Sequence, residues 1–315
     1  MPRRSCFPRR PRCRLPLKPN TLIRNEGGPN MPGRFHFSER FFSMDVAVGT
    51  SFSMSLLGWV GASALARLAG FRYVAAVACT GVGYSLLLHR WTRAMRSVLS
   101  RQILFTAIEA VPLLSLIACG MGFVVVMEAQ LWLNRIGQTV LLGPLLVAVL
   151  IRELAPLLAN FVVIGRSGTA ITTELANMKV SGEVKSLDAQ GLDPFTYLLL
   201  PRVAGVAFSV LCLTVLFVVV AMISGFYGSS VWGDGTSDPR IFMEQVLGAM
   251  KPVDILNVLA KTILPGWLTG TICCVEGLSV GAQMTDVPQA ASRGVIRSVV
   301  SLFLISVVVS VLTYL

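Results

Sequence analysis

Five charged side chains stand inside long apolar runs of this sequence: Arg152, Glu153, Arg166, Lys261 and Glu276. A charge within the hydrocarbon of a bilayer costs about 2.5–3.5 kcal/mol on insertion scales unless it is paired or wetted. Each of the five is therefore either half of an ion pair between helices or part of a polar path. Arg152 and Glu153 are neighbours in sequence and point about 100° apart on a helix, so each needs a partner other than the other. Glu128 lies nearer the end of its run, where its side chain can reach the interface. A second polar group, Glu174, Lys179, Glu183, Lys185, Asp188 and Asp193, falls between two apolar runs and is interleaved with Leu175, Met178 and Val180. That pattern predicts a water-exposed amphipathic helix followed by a turn between Ser167 and Pro194, with charge to offer another protein. Gly182 interrupts it, which predicts two short helices meeting at an elbow. Gly191 followed by Pro194 predicts the stop.

Catalytic chemistry lacks its parts. The two histidines, His36 and His89, both lie near the amino end, and neither H-E-x-x-H nor G-x-S-x-G occurs. The absence of G-x-x-x-x-G-K-[ST] removes ATP binding through a P-loop. The seven cysteines show no metal-ligand or disulfide spacing, and those in apolar runs read as small packing residues. The chain is expected to have no enzymatic activity, no metal and no cofactor of its own.

The elements that hold these residues are membrane helices. Hydrophobic residues make up 54% of the chain, charged residues only 14%, and mean hydropathy is +0.71, against roughly a quarter charged in soluble chains. The net charge of +11 is concentrated ahead of residue 107, and in a membrane chain it marks the cytoplasmic side rather than nucleic-acid binding. Residues 1–43, rich in Arg and Pro, read as a disordered basic tail, with a later start codon or an organellar leader as other readings. Residues 44–106 mix short apolar runs with arginines, and HRWTRAMRSVLSRQ suits a helix lying in the interface. A short tilted span over 73–88 is the second reading of that region. Five spans follow, at about 107–131, 139–164, 197–227, within 255–280, and 295–315, with a turn-rich polar loop expected after the third. With the amino terminus inside, Arg166, Lys179, Lys185, Arg202, Arg293 and Arg297 fall in inside loops, and Arg135, Arg240 and Lys251 outside. This follows the positive-inside rule and leaves the carboxyl terminus outside.

The central stretch then resembles a known signature. Arg152-Glu153-Leu154-Ala155-Pro156, Ile164-Gly165-Arg166-Ser167-Gly168-Thr169, Thr173-Glu174-Leu175-Ala176-Asn177-Met178, Glu183-Val184, Gly191-Leu192-Asp193-Pro194 and Tyr197 to Arg202 follow in order the blocks of the MlaE-type permeases, membrane subunits of MCE-associated ABC transporters that move lipids. Ala155, Val184 and Ser186 depart from the usual residues. The resemblance implies an all-α integral membrane protein with an amino-terminal interfacial helix, five transmembrane helices and a cytoplasmic coupling helix. It implies a homodimer in a bacterial inner membrane, a separate P-loop ATPase that carries ATP and Mg, an MCE-domain partner, and a lipid cargo, most simply phospholipid. Glu174 to Asp193 would be the ATPase-coupling element. The rival reading is an ion-coupled secondary transporter that uses Arg152, Glu153 and Glu276 as its relay.

Overall fold

The computed structural model describes residues 74–81, 93–138, 141–191, 195–232, 239–281 and 283–314, and all of these fall in one compact unit, Leu56–Leu315. The tail at 1–43, most of the 44–106 region and Asp193 lie outside the described residues. Among the described residues there is helix and no strand, and five helices are long and apolar enough to cross a membrane. The fold is an all-α integral membrane bundle.

Helix α1 is Arg93–Ile136, unbroken over 44 residues. At 1.5 Å per residue it is about 66 Å long, more than twice the hydrocarbon thickness of about 30 Å. The basic segment expected to lie in the interface is thus, from Arg93 onward, the first turns of the same rod as span one. Nothing between Arg93 and Ala107 breaks a helix, and Pro112 is accommodated inside it.

The second rod, α2, runs without interruption from Leu142 to Val180. The expected end of this span near 164, with the following segment in water, is not what the fold shows. Instead, Ile171, Thr172, Leu175 and Ala176 are buried, because the 169–180 segment packs against two later helices. The elbow is where Gly182 predicted it: Gly182 takes φ +80°, which a residue without a Cβ adopts freely. It opens the short helix α3, Glu183–Ala189, and Gly191 (φ +77°) follows its end.

Helix α4, Leu200–Trp232, is the centre of the bundle and packs along α1, α2 and α6. Val203, Val206, Val210, Leu213 and Phe217 form its buried stripe. Between α1 and α4 the backbones nearly touch. A Cβ on Gly122 would run into the Ala221 carbonyl, and one on Gly225 into the Val126 side chain. Such close approach is what holds spans together where lipid competes for every apolar surface. The loop expected after the third span contains a helix as well: α5, Pro239–Ala249, starts on a proline and buries Phe242 and Val246, one turn apart, at the amino end of α2. The single-residue punctuation of that loop hid this pair. Helix α6 is Pro252–Leu278, and α7 is Val287–Tyr314, packed on α6 and on the elbow end of α2. Residues 74–81 are helical, and the Ala78 carbonyl accepts from Trp267 Nε1 of α6 at 3.1 Å.

Candidate functional site

The charged residues fall into two layers at different depths of the bundle. The first joins α2 to α6. Arg152 Nη2 meets Asp254 Oδ1 at 2.8 Å, and Glu153 Oε1 accepts from Lys261 Nζ at 2.6 Å. Adjacent residues on α2 thus reach two partners seven residues, or two helical turns, apart on α6. Ser310 Oγ of α7 donates to the same Glu153 oxygen at 3.3 Å, and Lys261 Nζ also reaches the Arg152 carbonyl at 3.4 Å. Lys261 is nearly enclosed, at 2% side-chain exposure, whereas Glu153 is 43% exposed. The layer is therefore a pair of interhelical ion pairs with one carboxylate edge open to the surroundings. Asn160 Nδ2, two turns on, donates to the Lys261 carbonyl at 3.2 Å and ties the same two helices again.

The second layer lies at the elbow end. Arg202, at the start of α4, donates through Nη2 to Glu174 Oε1 at 2.7 Å. Lys179 donates to the Leu278 carbonyl at the end of α6, where a helix leaves its last carbonyls open and favours positive charge. Glu276, buried on α6, is held by Arg297 and, at 3.6 Å, by Arg293, both on α7. Between the layers Arg166 pairs with Glu109 of α1 at 2.6 Å, with both side chains about 40% exposed.

The charged motif blocks coincide with local widening of the helix. Val147–Leu154, which carries Arg152 and Glu153, and Ile164–Gly168, which carries Arg166, are π-helical stretches inside α2. A third, Phe195–Leu199, leads into Arg202. π-Turns inside α-helices are frequent at functional sites, because the wider turn re-aims side chains at a small loss of helix regularity.

Five of the six residues expected to meet a partner are described, and they divide into two groups. Glu174 and Lys179 are engaged with α4 and α6 of this chain. Glu183, Lys185 and Asp188 on α3 are exposed, while Val184 and Leu187 pack against the core. α3 thus lies on the bundle end by its apolar edge and turns its charges outward.

Sequence reasoning missed two partners, Asp254 and Glu109. Asp254 sits three residues after Lys251 and accepts from its backbone N–H at 2.8 Å, so in sequence it reads as the start of a helix. Its second role, as the buried carboxylate for Arg152, shows only when α2 and α6 are brought together. Glu109 lies in the first turns of span one, where an acid reads as interfacial.

The family model described as Permease MlaE matches residues 99–312. Among curated proteins, the "Probable ABC transporter permease protein" of Rickettsia prowazekii is 26% identical over 202 residues, 64% of this chain and 77% of its own length. A protein of the same description from Synechocystis is 30% identical over 53% of this chain and 63% of its own. The chloroplast protein TRIGALACTOSYLDIACYLGLYCEROL 1 of Arabidopsis thaliana is 29% identical over 61% of this chain and 53% of its own. The family match covers both charged layers, the elbow and the five spans but for their outermost residues, and the chain belongs to the MlaE permease family.

Proposed function

We propose that this chain is the membrane subunit of an ATP-driven transporter that moves lipid, most simply phospholipid, between a bacterial inner membrane and an MCE-domain partner. The observation that carries this reading is the elbow: a short helix at the bundle end, seated by Val184 and Leu187, with Glu183, Lys185 and Asp188 facing outward. A helix placed there has no membrane-spanning task, and its charges suit a groove on a soluble partner. That partner is a P-loop ATPase, which supplies the ATP and Mg chemistry that the sequence of this chain has no motif for.

The elbow end is assigned to the cytoplasm. Arg96, Arg101, Lys179, Lys185, Arg202, Arg293 and Arg297 lie toward it, whereas Arg135, Arg240 and Lys251 lie toward the other end. The carboxyl terminus is then periplasmic, where an MCE-domain protein would collect or deliver cargo. The relatives named as ABC transporter permeases support the ATP-driven reading, and the name of the chloroplast relative, which is that of a lipid, supports the cargo class. A second copy of the chain fits α7, which buries one stripe (Ala290, Gly294, Ser298, Ser301) and exposes Ile296, Val300, Phe303 and Val307 on the other.

The test is a mild-detergent pull-down of the tagged chain, with copurifying proteins and lipids identified by mass spectrometry. A P-loop ATPase, an MCE-domain protein and bound phospholipid are expected. Glu183→Lys, which reverses a charge on the exposed face of α3, is expected to lower ATPase recovery with membrane insertion unchanged. Full ATPase recovery with this variant counts against the docking role, and a clean homo-oligomer without an ATPase favours an ion-coupled transporter.

A further inference from the structure

At the elbow end, four helices are joined by polar contacts as well as by packing. Glu174 and Lys179 of α2 hold α4 and α6 through Arg202 and the Leu278 carbonyl, and Thr172 Oγ1 donates to the Cys273 carbonyl of α6 at 3.2 Å. Glu276 of α6 in turn holds Arg293 and Arg297 of α7.

The Glu174–Arg202 contact, like those of Glu276, joins a buried side chain to an exposed one: the Arg202 side chain is 7% exposed and that of Glu174 57%. It differs from them in that Arg202 is only half engaged. Nη2 holds Glu174, while Nη1 is buried without a hydrogen-bond acceptor. A guanidinium can grip a carboxylate through two parallel N–H bonds, and a buried N–H without an acceptor is unfavourable. The buried arginine therefore favours a second position of the exposed carboxylate, in which both nitrogens are satisfied.

Glu174 stands two turns before the elbow on an unbroken rod. The 21 residues back to Glu153 span about 32 Å of helix, so a shift at the elbow is carried along α2 to the Arg152–Glu153 layer. It reaches α4 at this end through Arg202.

We propose that Glu174 and Arg202 form a latch that passes movement of the α3 elbow to α4, closing from a one-point to a two-point grip when the ATPase engages. The proposal rests on the reading of this chain as an ATPase-coupled permease. Arg202 is here a positioning residue: it acts through Glu174 and touches no cargo.

The experiment reconstitutes the whole complex, this chain with its ATPase and outer partner, in phospholipid vesicles, and measures ATP hydrolysis and lipid transferred in the same sample. In E174Q and R202M, ATP hydrolysis should stay within about twofold of wild type while lipid moved per ATP falls roughly tenfold, the coupling one charge-assisted contact can carry. R202K keeps the charge but offers a compact ammonium in place of the planar fork, so its yield per ATP should fall between wild type and R202M. Because Glu174 is the exposed partner, E174Q decides the matter if R202M does not assemble. An unchanged yield per ATP in E174Q overturns the latch, and R202K equal to wild type overturns the two-point closure. If the wild-type complex moves no lipid on ATP, the transporter reading falls and the latch falls with it.

Discussion

At the scale of single residues, the charges that α2 sets against α6 are paired across the two helices. Arg152 is joined to Asp254, whose side chain is 2% exposed, and Lys261, equally enclosed, is joined to Glu153. A buried ion pair adds little net stability over an apolar pair of the same shape, but removing one member leaves the other desolvated and unpaired. Arg152→Leu should therefore destabilise the bundle by on the order of 3 kcal/mol, since it abandons Asp254 in the interior. R152L/D254N should regain most of that loss. Thermal unfolding in detergent of the two variants checks this, and equal losses would mean that the pair is not what holds α2 to α6. Glu153 is different in kind: at 43% it is the most exposed of the four paired side chains of this layer, so it is the residue to substitute when asking whether the layer does more than fix geometry.

At the scale of elements, the elbow depends on a backbone state as much as on its charges. Gly182 sits at φ +80°, a region that costs a residue with a Cβ roughly 1–2 kcal/mol. Gly182→Ala should leave the bundle intact and loosen α3, seen as faster amide exchange over 183–189 with unchanged protection of α4. Unchanged exchange in α3 would show that its packing through Val184 and Leu187, not the turn, sets its position. The elbow is also where the sequence spoke most clearly. Gly182 and Gly191 marked both ends of α3, and the charged blocks between two spans marked the stretch that matters. Less legible was the continuity of α2 through Val180. An amphipathic pattern shows that one face is buried, but not whether water or two neighbouring helices cover the other, and α6 and α7 cover Ile171, Thr172, Leu175 and Ala176. The ion-pair partners were hidden for the same reason: Asp254 and Arg152 are 102 positions apart, and no local pattern relates them. Helix α5 was hidden by its flanks, because Gly, Asp, Ser and Pro next to a short amphipathic segment read as a loop until Phe242 and Val246 are given a surface to bury.

At the scale of the whole molecule, two charged layers lie toward opposite ends of a bundle whose second helix is a single rod joining them. The elbow end carries the exposed charges of α3, and the outer faces of α1, α4 and α7 are apolar and exposed. On the proposed function the first would meet the ATPase, and the other layer would lie toward the end where cargo leaves or arrives. In this account the energy enters at α3 from a separate ATPase and reaches the far layer along α2. An ion-coupled transporter would use the same intramembrane charges as its relay and need no ATPase, so the two accounts part on the energy source. The most direct measurement is lipid transfer by the reconstituted complex, followed with and without ATP and with the proton gradient collapsed by an ionophore. Transfer that requires ATP and the ATPase subunit, and that continues without a gradient, is what the account predicts. Transfer by this chain alone that stops when the gradient is collapsed would contradict it.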